Sequence, residues 1–134
     1  MLESLVEDVL KKVSTGQLSV VKAADLLLTE MGRGGRILVV DENLLGLEME
    51  LSALGYVTYT VATRGQVDEM IRPQLRSRVF ITRNGKDFVE GLTKHHFGLV
   101  WIVSRMSNRD LAKKIAKVLM KSNFHRKPVQ VVKV

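Results

Sequence analysis

The sequence contains no cysteine. That excludes disulfides, zinc–thiolate centres and thiol catalysis, and it fits a cytoplasmic address. Aromatic residues make up only 5% of the chain, so a platform of stacked rings of the kind used by single-strand binders is not expected. Long apolar runs are missing as well. The longest, such as Leu99-Val100-Trp101-Ile102-Val103, fall far short of the roughly 20 residues needed to cross a bilayer, and no membrane partner is expected. The first residues hold no basic stretch leading into an apolar run, so no secretory leader is expected. Internal repeats and low-complexity stretches are absent too.

What is present suits a globular chain. The 134 residues are 46% hydrophobic, enough for one domain with a normal core and a small appendage. Charge is distributed unevenly. Residues 1–31 carry three basic against five acidic side chains, a net of −2, whereas 32–134 carry 18 against nine, a net of +9. A basic body suggests a polyanionic partner, with nucleic acid the first candidate. A pI near 9.9 is equally what a Lys/Arg-rich proteome would produce.

Hydrophobic spacing divides the chain. Leu2, Leu5, Val6, Val9, Leu10 and Val13 recur at helical intervals, and Thr15-Gly16-Gln17 stops that helix. Ser19 offers an N-cap to a second helix with Val20, Ala23, Ala24, Leu27 and Leu28 on one stripe. Two short helices cannot bury both stripes by themselves, so this hairpin is expected to dock on the body or to form a homodimer through residues 1–31. Gly32-Arg33-Gly34-Gly35 marks the boundary, giving a helical hairpin over 1–33 and an α/β domain over 34–134.

Beyond the boundary, strands are expected over 37–40, 57–61, 79–82 and 99–103, with a fifth over 129–134 at an edge. Helices are expected over 43–54, 67–75, 86–93 and 108–122, the last capped by Ser107 with Asp110 at N3. Such alternation predicts an α/β fold, a parallel sheet of four to five strands with helices on both faces.

In an open parallel sheet, function gathers at the carboxyl ends of the strands. Asp41 and Glu42 follow the first strand, Asn84 and Asp87 the third, Ser104 and Arg105 the fourth, while Asp68 and Glu69 open a short helix. A cluster of these acids would need a cation, and oxygen ligands without cysteine point to Mg²⁺ or Mn²⁺. Such an ion orients water and stabilises charge on a phosphodiester, with basic residues holding the backbone. Asp41 and Asp68 could equally be plain helix caps.

The string Ile37-Leu38-Val39-Val40-Asp41-Glu42-Asn43-Leu44 resembles the opening of short PIN-like domains related to VapC-type toxins. Leu54-Gly55-Tyr56-Val57, Asp68-Glu69-Met70-Ile71 and the stretch from Val79 through Thr82, Asn84 and Asp87 to Phe88 are similar to that family's later motifs, in order. The resemblance covers about residues 36–120 and implies a metal-dependent ribonuclease, with an antitoxin-like protein as a further partner. It implies Asp41, Asp68 or Glu69, and Asp87 as catalytic acids, and Asp41, Glu42, Asn84 and Asp87 around the metal. Asn84 stands where the family motif has an Asp, and Gly85 looks inserted, so a non-catalytic PIN-like module binding RNA or a protein is the alternative. Residues 36–63 also resemble the start of a response-regulator receiver, a signalling domain whose third strand ends in a phosphorylatable Asp, and Lys127-Pro128 resembles its late Lys-Pro.

On the last helix, Lys113, Lys117 and Lys121 share one face, which reads as a phosphate track or simply a solvated surface. Thr82, Arg83, Lys86 and Arg105 are the better substrate candidates, beside the acids. His95 and His96 lack a suitable third zinc ligand, so a role at the helix end is expected. Trp101 and Phe80 are expected in the core.

Overall fold

The computed structural model describes residues 2–33, 36–61, 71–122, 124, 127 and 129–134. Helices α1 (Leu2–Ser14) and α2 (Val20–Arg33) come first. Strands β1 (Ile37–Asp41), β2 (Val57–Val61), β3 (Val79–Thr82), β4 (Gly98–Trp101) and β5 (Gln130–Lys133) follow, with helices α3 (Leu45–Ala53), α4 (Leu92–His95) and α5 (Asn108–Lys121) among them. All strand pairs are parallel, in the order β2-β1-β3-β4-β5. The chain steps to one side of β1 and then to the other, so the topological switch point lies between β1 and β3. Open α/β sheets form their ligand crevice there.

Period-two alternation sends the strand residues to two cores. Leu38, Val40, Val79, Ile81 and Val100 meet Leu47 and Leu51 of α3 and Leu111, Ile115 and Leu119 of α5. On the opposite face, Val39, Phe80 and Leu99 meet Ile71, Leu75, Phe88, Leu92 and Phe97. Phe80 and Phe88 contact edge to face, with centroids 4.7 Å apart. Each fully buried side chain of this size contributes about 1.5–3 kcal/mol from area alone. The central strands are therefore covered on both sides, as expected of a parallel sheet.

Several boundaries differ from the sequence expectation. β1 runs one residue further and includes Asp41, while β4 ends at Trp101. The segment 43–54 opens as a 3₁₀ turn, Glu42–Leu44, before α3 begins, and Gly55 ends it with φ 97°. The expected helix 86–93 is instead a 3₁₀ turn at Gly85–Asp87, another at Val89–Gly91, and the short α4. Glycines at 85 and 91 favour helix poorly, and the broken path turns both Phe88 and Leu92 inward. Of the expected helix 67–75, a 3₁₀ turn at Arg72–Leu75 is described. Asp68 and Glu69 lie outside the described residues.

The helical hairpin lies at the amino end of the sheet. Met31 O accepts from Arg36 N at 2.8 Å, and Gly32 lies so close to Ser77 O that a Cβ there would overlap it. Val9 and Ala23 are buried. The expected second stripe is only partly covered, since Val20 and Leu28 are exposed, as are Leu10, Val21 and Leu26. No helix among the described residues is long and apolar enough to cross a membrane.

Candidate functional site at the carboxyl rim

The side chains that meet at the switch point are Asp41 and Thr82. Both end their strands and both are buried, at 6% and 0% exposure. Residues two apart in a strand share a face, so Asp41 lies on the side of Val39, and Thr82 on the side of Phe80. Val40 is paired with Ile81, which brings the next two positions together across the strand boundary. Thr82 Oγ1 donates to Asp41 Oδ2 at 2.9 Å. The other carboxylate oxygen, Oδ1, accepts from Asn43 N and Asn43 Nδ2, both at 3.3 Å, and so caps the 3₁₀ turn that follows. Capping and contact with Thr82 are thus two faces of one side chain.

The polar chain continues outward. Thr82 Oγ1 accepts from Asn84 N at 3.0 Å, and Asn84 Nδ2 donates to Asp87 Oδ2 at 2.5 Å. Asp41 and Asp87 are thereby joined through Thr82 and Asn84, although 45 residues of sequence lie between them. Glu42 is half-buried beside Asp41 in sequence, at the first position of the turn that Asp41 caps. Among the described residues, no three acidic or histidine side chains gather into a cation-sized group. Hydrogen bonds through Thr82 and Asn84 bring Asp41 and Asp87 into one network.

The basic candidates occupy the rim. Arg83, Lys86 and Arg105 are exposed, and Arg83 Nη1 donates to Ser104 O at 2.7 Å, tying the loop after β3 to the loop after β4. Ser104 N and Val103 N both donate to Val134 O, at 3.1 and 2.7 Å, so the end of the chain supports that second loop. Ser104 Oγ is buried, with no hydrogen-bond partner among the described residues. On α5, Lys113, Lys117 and Lys121 are exposed while Leu111, Ile115 and Leu119 are buried, as the spacing required. His95 ends α4, and His96 adopts a left-handed φ of 50° with its carbonyl accepting from Ser77 N at 2.9 Å.

Two rim residues were not singled out as functional from the sequence. Trp101 is half-buried rather than enclosed, and it is paired with Thr82 on one side and Lys133 on the other. Gly85 packs against the indole so closely that a Cβ would collide with Cγ, Cδ1 and Cδ2. Gly85 is therefore a contact requirement of the rim. Period-two alternation in 130–133 puts Lys133 on the same face as Val131, but only strand register sets it beside Trp101. Compared with family models, with curated proteins and with solved structures, the chain matches none.

Proposed function

We propose that the chain is a metal-dependent PIN-like ribonuclease acting on RNA in the cytoplasm. The observation that carries this reading is the buried Asp41 carboxylate held by Thr82 at the switch point, with Asn84 and Asp87 on the same hydrogen-bond path. The donor set suits Mg²⁺ or Mn²⁺, which take oxygen ligands and are commonly held by one or two carboxylates plus water and substrate phosphate. Asp41 and Asp87 would supply the carboxylates, with the Asn84 amide oxygen and Glu42 as further ligands and Asp68 or Glu69 as the third acid of the resemblance. A divalent ion there would polarise a phosphoryl oxygen and activate water.

The protein's own part is positional. Hydrogen bonds from Asn43 and Thr82 fix both oxygens of Asp41 in direction, which lowers the reorganisation needed to bind a cation. Arg83, Lys86 and Arg105 are exposed near the same rim and would hold the phosphate backbone. Asn84 brings no negative charge, so metal affinity and turnover are weaker than a complete acidic ring would give. The narrower form of this reading is a toxin restrained by an antitoxin-like protein, with a homodimer formed through residues 1–31.

One observation favours a second reading, a non-catalytic module that binds RNA or a protein. Asn84 Nδ2 already engages Asp87 Oδ2, and a carboxylate satisfied by a neutral amide has less need of a cation. The receiver reading is weaker. Its strand order is the same, but β3 ends in Thr82 where a receiver carries its phosphorylatable Asp.

Single-stranded RNA incubated with Mg²⁺ or Mn²⁺ separates the two leading readings. Cleavage by the parent and not by Asp41→Asn supports the nuclease. Retained RNA binding with no cleavage by either protein supports the binding module.

A further inference from the structure

Across the carboxyl ends of the strands, one residue from each of four strands falls into a single lateral row on one face of the sheet. Asp41 lies beside Thr82, Thr82 is paired with Trp101, and Trp101 is paired with Lys133. Neighbouring strands are about 4.8 Å apart, so the row spans roughly 14 Å from carboxylate to lysine. Its chemistry changes in order along that length: carboxylate, hydroxyl, indole, ammonium.

The indole end is partly exposed. Lys133 is exposed and its Nζ lies 4.7 Å from the Trp101 ring centroid, a cation–π contact. Val131, two residues before it and on the same face, is 37% exposed. Gly85 supports the indole at the β3 side and leaves no room for a side chain of its own. A large amphipathic ring, half-buried and covered by an exposed lysine's ammonium, has the makings of a subsite for one nucleotide. The base would stack on the indole, and the lysine would exchange its ring contact for a charge-assisted bond to the adjacent phosphate.

We infer that Trp101 and Lys133 form a nucleotide-binding subsite for single-stranded RNA, displaced along the row from the Asp41–Thr82 end. The inference rests on the reading of the carboxyl rim as an RNA site and extends that site toward β5. It also revises the expectation from low aromatic content, because one indole at the rim supplies stacking that several rings elsewhere would not. Lys133 is a binding residue in this scheme, and Gly85 positions Trp101.

The test uses a short fluorescein-labelled oligouridylate in EDTA, so that binding is read without cleavage. Trp101 is the only tryptophan, so its emission should be quenched saturably by unlabelled oligouridylate. By anisotropy, Lys133→Gln should weaken binding several-fold and reduce the slope of log affinity against log salt by about one. Trp101→Leu should weaken it by roughly tenfold. Because Trp101 contributes to packing, Lys133→Gln is the deciding variant, its unchanged circular dichroism and melting serving as the control. Unchanged affinity and salt slope in Lys133→Gln, or binding without quenching, would overturn the subsite.

Cleavage with Mn²⁺, measured on the same proteins, keeps the two ideas apart. A parent that never cleaves but shows the Trp101 and Lys133 dependence keeps the subsite and loses the nuclease. A parent that cleaves while Lys133→Gln binds like the parent keeps the nuclease and loses the subsite.

Discussion

The carboxyl rim and the amino-terminal hairpin are built on opposite principles. At the rim, polar side chains are buried and bonded across strands: Asp41 to Thr82, Thr82 to the backbone of Asn84, and Arg83 to the carbonyl of Ser104. In the hairpin, apolar side chains are exposed, with Val20 at 71% and Val21 at 79%, while the net charge over 1–31 is −2. Burying a polar group costs free energy unless it is partnered, and leaving an apolar group in water forgoes stabilisation. The hairpin therefore departs from what stability alone favours, while the rim meets its polar needs internally; on the proposed reading the rim receives a cation and RNA, and the hairpin a second copy.

The largest effect should come from the rim. Asp41→Asn is expected to lower Mn²⁺-dependent RNA cleavage by about a hundredfold or more, since a few kcal/mol of transition-state stabilisation is at stake. Gel-resolved cleavage of the parent and variant measures it, and equal rates would remove Asp41 from the mechanism.

Thr82→Val keeps the shape and deletes the donor to Asp41. It should destabilise the fold by about 1–3 kcal/mol, because a buried acceptor loses its partner. Denaturant unfolding reads this directly, and a neutral result would mean that Asp41 relies on its other donors. Gly85→Ala places a methyl group against Trp101 and should cost about 1–3 kcal/mol by overpacking, with a shift in tryptophan emission that Thr82→Val should not produce.

At the hairpin, the contrast predicts a change of assembly with little change of fold. Val21→Lys alters an exposed position, so the melting temperature should stay close to the parent's. On the proposed dimer, light scattering should nonetheless report a dimeric parent and a monomeric variant. A monomeric parent would break the comparison on the hairpin side.

The smallest expected effect lies at Tyr56. Burial pushes its phenol above the ordinary value, with the Arg36 guanidinium opposing that shift. The proton is therefore held more tightly in the folded state than in the unfolded one. Tyr56's contribution to stability is complete below about pH 10, the ordinary phenol value, and is lost as pH rises through the raised folded value. Melting curves above that pH should fall less steeply for Tyr56→Phe than for the parent.

Much of the sheet was legible because its signals are local. β2 and β3 coincide with runs of β-branched and aromatic residues, and the Ser107 cap of α5 follows from its spacing to Asp110, whose N donates to Ser107 Oγ at 3.2 Å. The segment 86–93 misled because its apolar spacing suits a helix, while Gly85 and Gly91 and the inward turn of Phe88 break it into 3₁₀ turns. The candidate acids were legible as strand ends. Their partner was not: Thr82 is 41 residues from Asp41, and only the parallel register β1–β3 brings the two together. The same holds for Trp101 and Lys133, whose meeting depends on β5 adding to the edge in parallel. Hairpin stripes overstated burial, since periodicity shows that a face is apolar but not what covers it.

The most direct test of the central claim sets the two regions against each other in one experiment, because both carry acids. Mn²⁺ is titrated into ¹⁵N-labelled protein and paramagnetic broadening of the amide signals is followed. Broadening that begins at Asp41, Asn43, Thr82 and Asn84 and is saturable is the expected result. Broadening that begins at Glu3, Glu7 and Asp8 of the hairpin, or that spreads evenly over the surface, would contradict a divalent-ion site at the switch point.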